Sequence, residues 1–240
     1  MKRTRSGLLI ATSLIPILLI ASARPALADT FDGRPKILVH VSATTSKNTC
    51  EFGELVACNQ AVTQGNTIPL GGPGYVFIYL LATRGTIPGL AGLQCGVFYQ
   101  SGSPGDMNDL MGIDVFGWTL CGALEFPTPG PNEWPRPGGG NLITWDRTVD
   151  CQTGDVGVAG YFYAAAYSQD AFRITPRPVD QLAKVASCEN VETVLLEYND
   201  TGCAYFSPGA VNVGCNPCVQ GCFIDPVETT TWSRIKTFAR

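Results

Sequence analysis

Ten cysteines, all of them after residue 28, constrain the fold of this chain more than any other feature. Residues 1–28 have the parts of a secretory signal peptide: a basic start, the apolar run Leu8–Ala21, and the small-residue cleavage site Ala26–Ala28. The run is too short for a transmembrane helix, which needs roughly 20 apolar residues, and Pro16 interrupts it. The sequence therefore predicts a secreted protein, periplasmic or at the cell surface, with no membrane span after cleavage.

An even number of cysteines in an exported chain predicts up to five disulfide bonds, because cysteines pair in an oxidising compartment. Sequence alone does not determine the connectivity. The favoured pairs are Cys50–Cys58, which closes a short loop, and Cys121–Cys151, which ties the long strand to the segment after Trp145. We assign the disulfide role to all ten: Cys50, Cys58, Cys95, Cys121, Cys151, Cys188, Cys203, Cys215, Cys218 and Cys222.

The C-terminal cysteines also allow two other interpretations, a redox pair and a zinc site. Cys215 and Cys218 have the CxxC spacing of a redox pair, which normally opens a helix after a strand, whereas here it lies in a glycine-rich segment. A zinc site could use these two with Cys203 and Cys222. Export favours structural bridges over both, so we expect no metal and no cofactor.

Charge and composition exclude several classes of protein. Cleavage removes four of the sixteen basic residues and none of the twenty acidic ones, which leaves a net charge of −8. This balance argues against nucleic acids and anionic membranes as partners. With 27 glycines, 17 prolines and only 15% charged residues, the full chain has the composition of a turn-rich β protein. We expect one domain at 29–222, followed by a C-terminal tail at 223–240.

Hydrophobic patterning predicts an all-β fold, a single Ig-like sandwich of about nine strands. Tyr75–Thr83 is apolar on both faces, which is typical of a covered strand. Ile113–Phe126 is expected to form one long strand with Phe116 and Trp118 on the same face. The remaining predicted strands are Lys36–Val41, Gly92–Gln100, Asn141–Trp145, Val158–Ser168, Ala171–Thr175, Ala183–Cys188 and Glu192–Tyr198.

Few residues suit catalysis. The only histidine, His40, lies in the first strand and is expected to be structural, so mechanisms that need a histidine base have little support. Glu125 and Glu197 are the alternative, as the acid and nucleophile of a glycosidase, although both lie opposite the local aromatic residues and are expected to face solvent. The acidic segments Asp106–Asp109, Asp150 with Asp155, and Asn199–Asp200 lack the spacing of a calcium loop.

Aromatic residues give the clearest binding signal. Tyr161, Tyr163 and Tyr167 share one face of a predicted strand, opposite an apolar face. They are expected either to form an outward strip suited to a sugar or a protein, or to pack beneath a loop with their hydroxyls hydrogen-bonded. Trp134 lies between prolines in the segment Pro131–Pro137, whose stiffness would lower the entropy lost when a ligand binds.

Two resemblances bear on the fold. Gly89–Tyr99 resembles the G-x-x-G-x-Q-F-x-x-x-Y strand of cohesin modules, which share a nine-strand sandwich with cellulose-binding domains; Cys95 replaces the family's aromatic. This resemblance implies the fold and little about function. A wider set of segments is similar to a group of uncharacterised exported proteins of environmental bacteria, to which no activity is attached: Phe116–Cys121, Gly139–Trp145, Val158–Tyr163, Gly214–Cys218 and the tail Thr230–Lys236.

The tail carries Trp232, Ile235 and Phe238 at three-residue spacing, so it is expected to form a short helix for export or surface attachment, or to fray. Taken together, these patterns predict a secreted, non-catalytic binding module for a carbohydrate or protein ligand at the cell surface. The alternatives are a glycosidase that uses Glu125 and Glu197, and a structural subunit of a surface layer or appendage.

Overall fold

The computed structural model describes residues 32–44, 50, 55, 57–68, 74–99 and 110–222. The expected signal peptide at 1–28, the acidic segment Asp106–Asp109 and the tail at 223–240 lie outside these residues. No helix within the described ranges has the length and apolar character needed to cross a membrane.

The described residues form twelve strands, and the predicted all-β sandwich is confirmed. In chain order the strands are β1 Lys36–Ala43, β2 Gln64–Asn66, β3 Val76–Thr83, β4 Leu90–Phe98, β5 Ile113–Leu120, β6 Leu124–Glu125, β7 Gly140–Thr144, β8 Val156–Ala166, β9 Asp170–Thr175, β10 Lys184–Ser187, β11 Glu192–Val194 and β12 Cys203–Ser207. Each predicted strand has a counterpart here, whereas the short strands β2 and β12 were not predicted.

The strands make two sheets. The first is antiparallel in the order β1-β3-β8-β5, and the second has the order β11-β10-β4-β9-β12-β2, with β7 joining β4 to β6. The pair β2 and β12 is parallel, while every other pair of strands is antiparallel. The resulting sandwich has its main core between the sheets.

Strict alternation along β1 and β3 separates two apolar faces of the four-stranded sheet. Ile37 and Val39 of β1 and Ile78 of β3 point into the core between the sheets. Their neighbours along the chain, such as Leu38 and Tyr79, belong to a second apolar cluster on the outer face. The prediction that the strand from Tyr75 to Thr83 is covered on both faces is therefore confirmed for β3, which is buried from Phe77 onward.

A β-bulge changes the face that β5 presents to the core. Ile113 and Val115 are fully buried in the core, but the register with β8 shifts between Val115 and Gly117. Phe116 points outward, as alternation after the core-facing Val115 requires. Because the bulge adds one residue, Trp118 takes an inward position that unbroken alternation would not give it. The expectation that Phe116 and Trp118 lie on one face is therefore wrong. The expectation of one long strand is also wrong, because β5 ends at Leu120 and a separate short strand, β6, begins at Leu124.

Four disulfides are present, and both favoured pairs were wrong. Cys50 bonds Cys121, Cys58 bonds Cys218, and the remaining bridges are Cys151–Cys188 and Cys215–Cys222. The reason is tertiary: three of the four bridges join segments that lie 37 to 160 residues apart in sequence. The first two bridges fasten Cys50 and residues 57–61 and 215–218 to the outer cluster, which contains Cys58, Cys218, Leu55, Tyr79 and Tyr161.

Cys95 and Cys203 are free thiols, so the disulfide role assigned to them is wrong. Cys95 points from β4 into the core between the sheets and is fully buried among apolar side chains. Eight of the other nine cysteines are bonded to one another in the four bridges, and the ninth, Cys203, is also a free thiol. Burial raises the pKa of the Cys95 thiol to about 12.

A buried ion-pair cluster fastens β1 to the segment before β12. The Lys36 Nζ donates to Asp200 Oδ1 at 2.6 Å, and both side chains are fully buried. Asp200 also accepts from Arg34 Nη2 at 2.9 Å and from the Leu196 amide at 2.8 Å. Lys36, Arg34 and the Leu196 amide thus occupy the carboxylate of Asp200, which belongs to the acidic segment Asn199–Asp200. The positive charge of Lys36 offsets the buried negative charge of Asp200, as burial of an ion requires.

Candidate functional site

Four aromatic side chains form an exposed cluster at one end of the outer face of the four-stranded sheet. We call Tyr75, Phe116, Tyr163 and Tyr167 the aromatic patch. The first three are 40%, 37% and 36% exposed, and Tyr167 is half-buried. Tyr75 stacks on Tyr163 with ring centroids 5.1 Å apart, and Phe116 meets Tyr75 edge-on at 5.6 Å and Tyr163 at 5.9 Å. The cluster is a continuous apolar surface in contact with solvent.

Strand register and the β5 bulge bring these rings together. Tyr163 of β8 lies opposite Phe77 of β3 and, on its other side, opposite Gly117 of β5. Tyr75 immediately precedes β3 on the same face as Phe77, because side chains alternate along a strand. Phe116 follows the core-facing Val115 and therefore points outward by alternation, and the bulge places Gly117 beside it opposite Tyr163. Tyr167 follows β8, where its amide donates to the Gly112 carbonyl at 2.7 Å.

Two further apolar side chains are exposed in the turn before β5. Leu110 and Met111 are 50% and 60% exposed and precede Gly112, the residue that accepts from the Tyr167 amide. The Leu110 amide donates to Asp114 Oδ2 at 3.0 Å, which fixes this turn against the start of β5.

The predicted tyrosine strip lies on the expected face but is divided into an open and a covered half. Tyr161 is only 4% exposed and packs against Phe77 at 4.8 Å and Tyr79 at 5.5 Å. The disulfide-fastened segments that contain Leu55 and Cys58 belong to the same cluster. Tyr161 cannot contact a ligand without displacement of these segments, so its assignment as a binding residue is wrong, whereas Tyr163 stays open.

Two phenols of the patch, those of Tyr163 and Tyr167, have raised pKa values. Partial burial, and then the neighbouring phenol of Tyr75, raise the pKa of Tyr163 above its ordinary value. Partial burial also raises the pKa of Tyr167, with smaller contributions from Tyr75, Asp114 and Tyr163. Tyr163 and Tyr167 therefore present uncharged rings with hydroxyl groups at neutral pH, which suits contact with a surface that is partly apolar and partly hydrogen-bonding.

Trp134 does not lie in an exposed loop. Its side chain is 7% exposed and packs edge-on against Trp118 at 5.0 Å and against Phe162 at 5.2 Å. The Trp134–Pro135 peptide bond is cis, and the Pro135 carbonyl accepts from the Tyr99 hydroxyl at 2.9 Å. The assignment of Trp134 as a ligand contact is wrong because the indole is buried against the rings of Trp118 and Phe162.

The carboxylates proposed for glycoside hydrolysis are not arranged as a pair. Glu125 is half-buried and accepts from Trp118 Nε1 at 2.9 Å and from Asn141 Nδ2 at 2.7 Å. Glu197 is exposed and lines a cleft with Arg173 and Cys203, to which Glu125 does not contribute. A glycosidase needs both carboxyl groups on either side of one bond.

The single histidine has a structural environment, as expected. His40 is 5% exposed on the outer face of β1, and its Nδ1 accepts from the Val62 amide at 2.9 Å. Its ring lies 6.3 Å from that of Tyr79 in the outer cluster. Within the described residues no three side chains of the His, Cys, Asp and Glu types come together as a metal site.

Sequence reasoning missed Tyr75 and Phe116 as members of the patch. Tyr75 could have been found, because Tyr75, Phe77 and Tyr79 repeat an aromatic residue at every second position. Phe116 had no comparable signal, since it shares its parity with Trp118, and the sequence of β5 does not mark the bulge that puts these two rings on opposite faces.

No family model and no curated protein matches this sequence. The solved structures that resemble it include the sixth cohesin of scaffoldin B from Acetivibrio cellulolyticus, in complex with a Cel5 dockerin mutant; this match has 8% identity, a TM-score of 0.40, and covers 73% of this chain and 99% of that one. A type I cohesin in the Coh-OlpC-Doc435 complex from Clostridium thermocellum has 7% identity, a TM-score of 0.40 and coverages of 73% and 94%.

The seventh ScaB type I cohesin from Pseudobacteroides cellulosolvens has 9% identity, a TM-score of 0.38 and coverages of 75% and 94%. These neighbours are cohesin domains, the same class that Gly89–Tyr99 resembles, but a likeness at this level says nothing about the ligand of this chain. The resemblance to exported proteins of environmental bacteria stays a prediction.

Proposed function

We propose that this chain is an exported, non-catalytic binding module that docks a protein ligand on the aromatic patch. The observation that carries the proposal is the division of the outer sheet face. Tyr79 and Tyr161 are sealed beneath disulfide-fastened segments, whereas Tyr75, Phe116 and Tyr163 are each more than a third exposed although they touch one another. An exposed contiguous cluster of large apolar side chains is typical of an interaction surface.

The geometry of the rings favours a protein over a carbohydrate. A sugar stacks on the open face of an aromatic ring, but Tyr75 and Tyr163 stack on each other with an angle of only 27° between their planes. Phe116 covers a further part of Tyr75 with its edge. Tyrosine and phenylalanine, the residue types of the patch, are enriched at protein interfaces.

Location and chemistry agree with this proposal. Four disulfides suit an oxidising compartment outside the cytoplasm, and the leader predicted at 1–28 supplies a route for export. Nothing in the arrangement of Glu125 and Glu197 favours the glycosidase. The third possibility, a structural subunit, requires the patch to bind a second copy of this chain.

The ligand can be sought with a photo-crosslinking amino acid. We would place p-benzoylphenylalanine at position 163 in the patch and, as a control, at position 149, because Val149 is 84% exposed and lies outside the patch. Each protein is irradiated with the secreted proteins of the producing cells, and the conjugates are identified by mass spectrometry. We expect a discrete conjugate from position 163 that position 149 does not give.

Affinity for the purified conjugate partner then tests the residues. Truncation of a hot-spot aromatic costs about 2 kcal/mol or more, which corresponds to roughly 30-fold in Kd. We expect Tyr163→Ala and Phe116→Ala to weaken binding by that factor in calorimetry, and Val149→Ala to leave Kd unchanged. Equal affinity of all three variants would overturn the proposal.

Two other results would also contradict it. Binding to a glycan array that is lost in Tyr163→Ala would show that the ligand class is carbohydrate. Concentration-dependent dimerisation that Phe116→Ala abolishes in analytical ultracentrifugation would show that the patch serves self-assembly instead.

A further inference from the structure

Cys203 lies beside a disulfide that it is placed to attack. We propose that Cys203, Cys215 and Cys222 form a thiol–disulfide exchange site, in which the Cys215–Cys222 bond is replaced by a Cys203–Cys215 bond. This inference stands on the C-terminal cysteines and is independent of the function proposed for the aromatic patch.

The backbone brings Cys203 and Cys215 into bonding range. Both residues form an antiparallel bridge in which the Cys203 amide donates to the Cys215 carbonyl at 3.1 Å and the Cys215 amide donates to the Cys203 carbonyl at 2.9 Å. Such a hydrogen-bonded pair has its Cα atoms about 5.5 Å apart with both side chains on one face. Disulfides span Cα separations of about 4.4–6.8 Å.

Cys215 therefore has two possible partners. Its Cα lies 5.5 Å from that of Cys222, to which it is bonded. The Cys203 Sγ in turn accepts a hydrogen bond from the Cys215 amide at 3.3 Å, so the free sulfur already points along the Cys215 backbone. Three cysteines around one bond give two alternative pairings of similar geometry.

Accessibility singles out Cys203 as the reactive thiol. Of the two free cysteines, Cys95 is sealed in the core, whereas Cys203 is half-buried and lines a surface cleft. Cys222 and Arg173 line the same cleft, whose volume is about 150 Å³. Burial raises the pKa of Cys203, and the amide of Cys215 and the charge of Arg173 partly oppose this shift.

The exchange needs no oxidant or reductant. The Cys203 thiolate donates an electron pair to the Cys215 sulfur, the Cys215–Cys222 bond breaks, and Cys222 leaves as a thiolate that takes up the proton released by Cys203. One disulfide and one thiol are present before and after the step. The thiol moves from β12 to Cys222, at the end of the described chain, where its thiolate can attack a disulfide of an exported molecule and release one of that molecule's thiols.

Removal of one cysteine at a time tests the exchange. In Cys222→Ser the Cys215 sulfur loses its partner, and we expect it to bond Cys203. Native alkylation with N-ethylmaleimide, followed by chymotryptic mass spectrometry, should then label Cys215 less than a tenth as much as a control thiol. The control is Cys151 in Cys188→Ser, because Cys151 loses its bridging partner in the same way. Neither free cysteine, Cys95 or Cys203, forms a backbone bridge with Cys151 as Cys203 does with Cys215.

Label on both Cys203 and Cys215 in Cys222→Ser, at the level of the control, would overturn the proposal. The unmodified protein gives a second test that does not depend on the folding of any variant. Incubation before an acid quench should yield both a Cys203–Cys215-linked peptide and an alkylated Cys222. Complete absence of the Cys203–Cys215 link in the unmodified protein would refute the exchange.

Discussion

The bridge between Cys58 and Cys218 is expected to contribute strongly to the stability of the outer layer. It closes 160 residues, and both of its cysteines lie in the outer cluster that covers Tyr79 and Tyr161. The other bridges shorten this loop, because the path through residues 50–58, 121–151 and 188–218 is only roughly 70 residues long. A loop of that length corresponds to about 4 kcal/mol of chain entropy in the unfolded state.

The double variant Cys58→Ala/Cys218→Ala should therefore lose about 4 kcal/mol in the free energy of unfolding, measured by urea titration with the remaining bridges intact. For a domain of this size the loss corresponds to roughly 10 °C in Tm. The matched control, Cys215→Ala/Cys222→Ala, opens a loop of seven residues. It should lose only about 2 kcal/mol.

Solvent exposure of the outer cluster gives a second readout. When the cover is released, the tyrosine signals of near-ultraviolet circular dichroism should weaken in the Cys58→Ala/Cys218→Ala variant and not in the control. A loss no greater than that of the control, with an unchanged tyrosine spectrum, would refute the view that this bridge holds a cover over the sheet.

Three further predictions concern the rest of the sandwich. Gly160→Ala should destabilise the fold by about 1–3 kcal/mol, because a Cβ there meets the ring of Trp118 and the Thr119 carbonyl, whereas Gly117→Ala should be near neutral in urea titration, since a Cβ there meets no atom within 4 Å. Partial burial raises the pKa of Asp32, but hydrogen bonds from a buried lysine and from the backbone hold it below its ordinary value of 3.8. The ionised Asp32 carboxylate thus stabilises the fold above pH 3.8, and this contribution is lost as the pH falls through the lowered pKa of the folded state. The urea midpoint of Asp32→Asn should therefore fall less between pH 5 and pH 2 than that of the unmodified protein. Cys95 should react with N-ethylmaleimide only after denaturation, because it is fully buried and its pKa is raised to about 12.

Each of these three has a result that would contradict it. Equal stability of the two glycine variants would show that the space beside Gly160 is not limiting. Parallel acid curves for Asp32→Asn and the unmodified protein would show that this carboxylate is not stabilised in the fold. Rapid labelling of Cys95 in the native state would show that the core opens.

The fold could be predicted from the sequence because alternation and turn residues act locally. Tyr161 and Tyr163 were assigned to one face of β8, and Phe162 and Ala164 to the other, and that separation holds since side chains alternate strictly along a strand. Whether a face is covered depends on segments that lie far away in sequence. The strip was therefore placed on the correct face, but the burial of Tyr161 was not foreseen.

The errors have physical causes of the same kind. Disulfide partners follow from tertiary position, so the short loop between Cys50 and Cys58 gave the wrong pair. Phe116 and Trp118 lie on opposite faces because a bulge inserts one residue between them and inverts the alternation that follows. Prolines around Trp134 indicated a stiff loop, but stiffness does not decide whether the indole points outward or into the core.

The central claim is that the outer sheet face has a sealed half and an open half, and that a protein ligand occupies the open half. Hydroxyl-radical footprinting of the tyrosines, with and without the identified partner, tests it most directly. We expect Tyr75 and Tyr163 to be oxidised in the free protein and protected in the complex, while Tyr79 and Tyr161 stay unreactive in both. Oxidation of Tyr161 in the free protein, or unchanged oxidation of Tyr163 in the complex, would contradict the account.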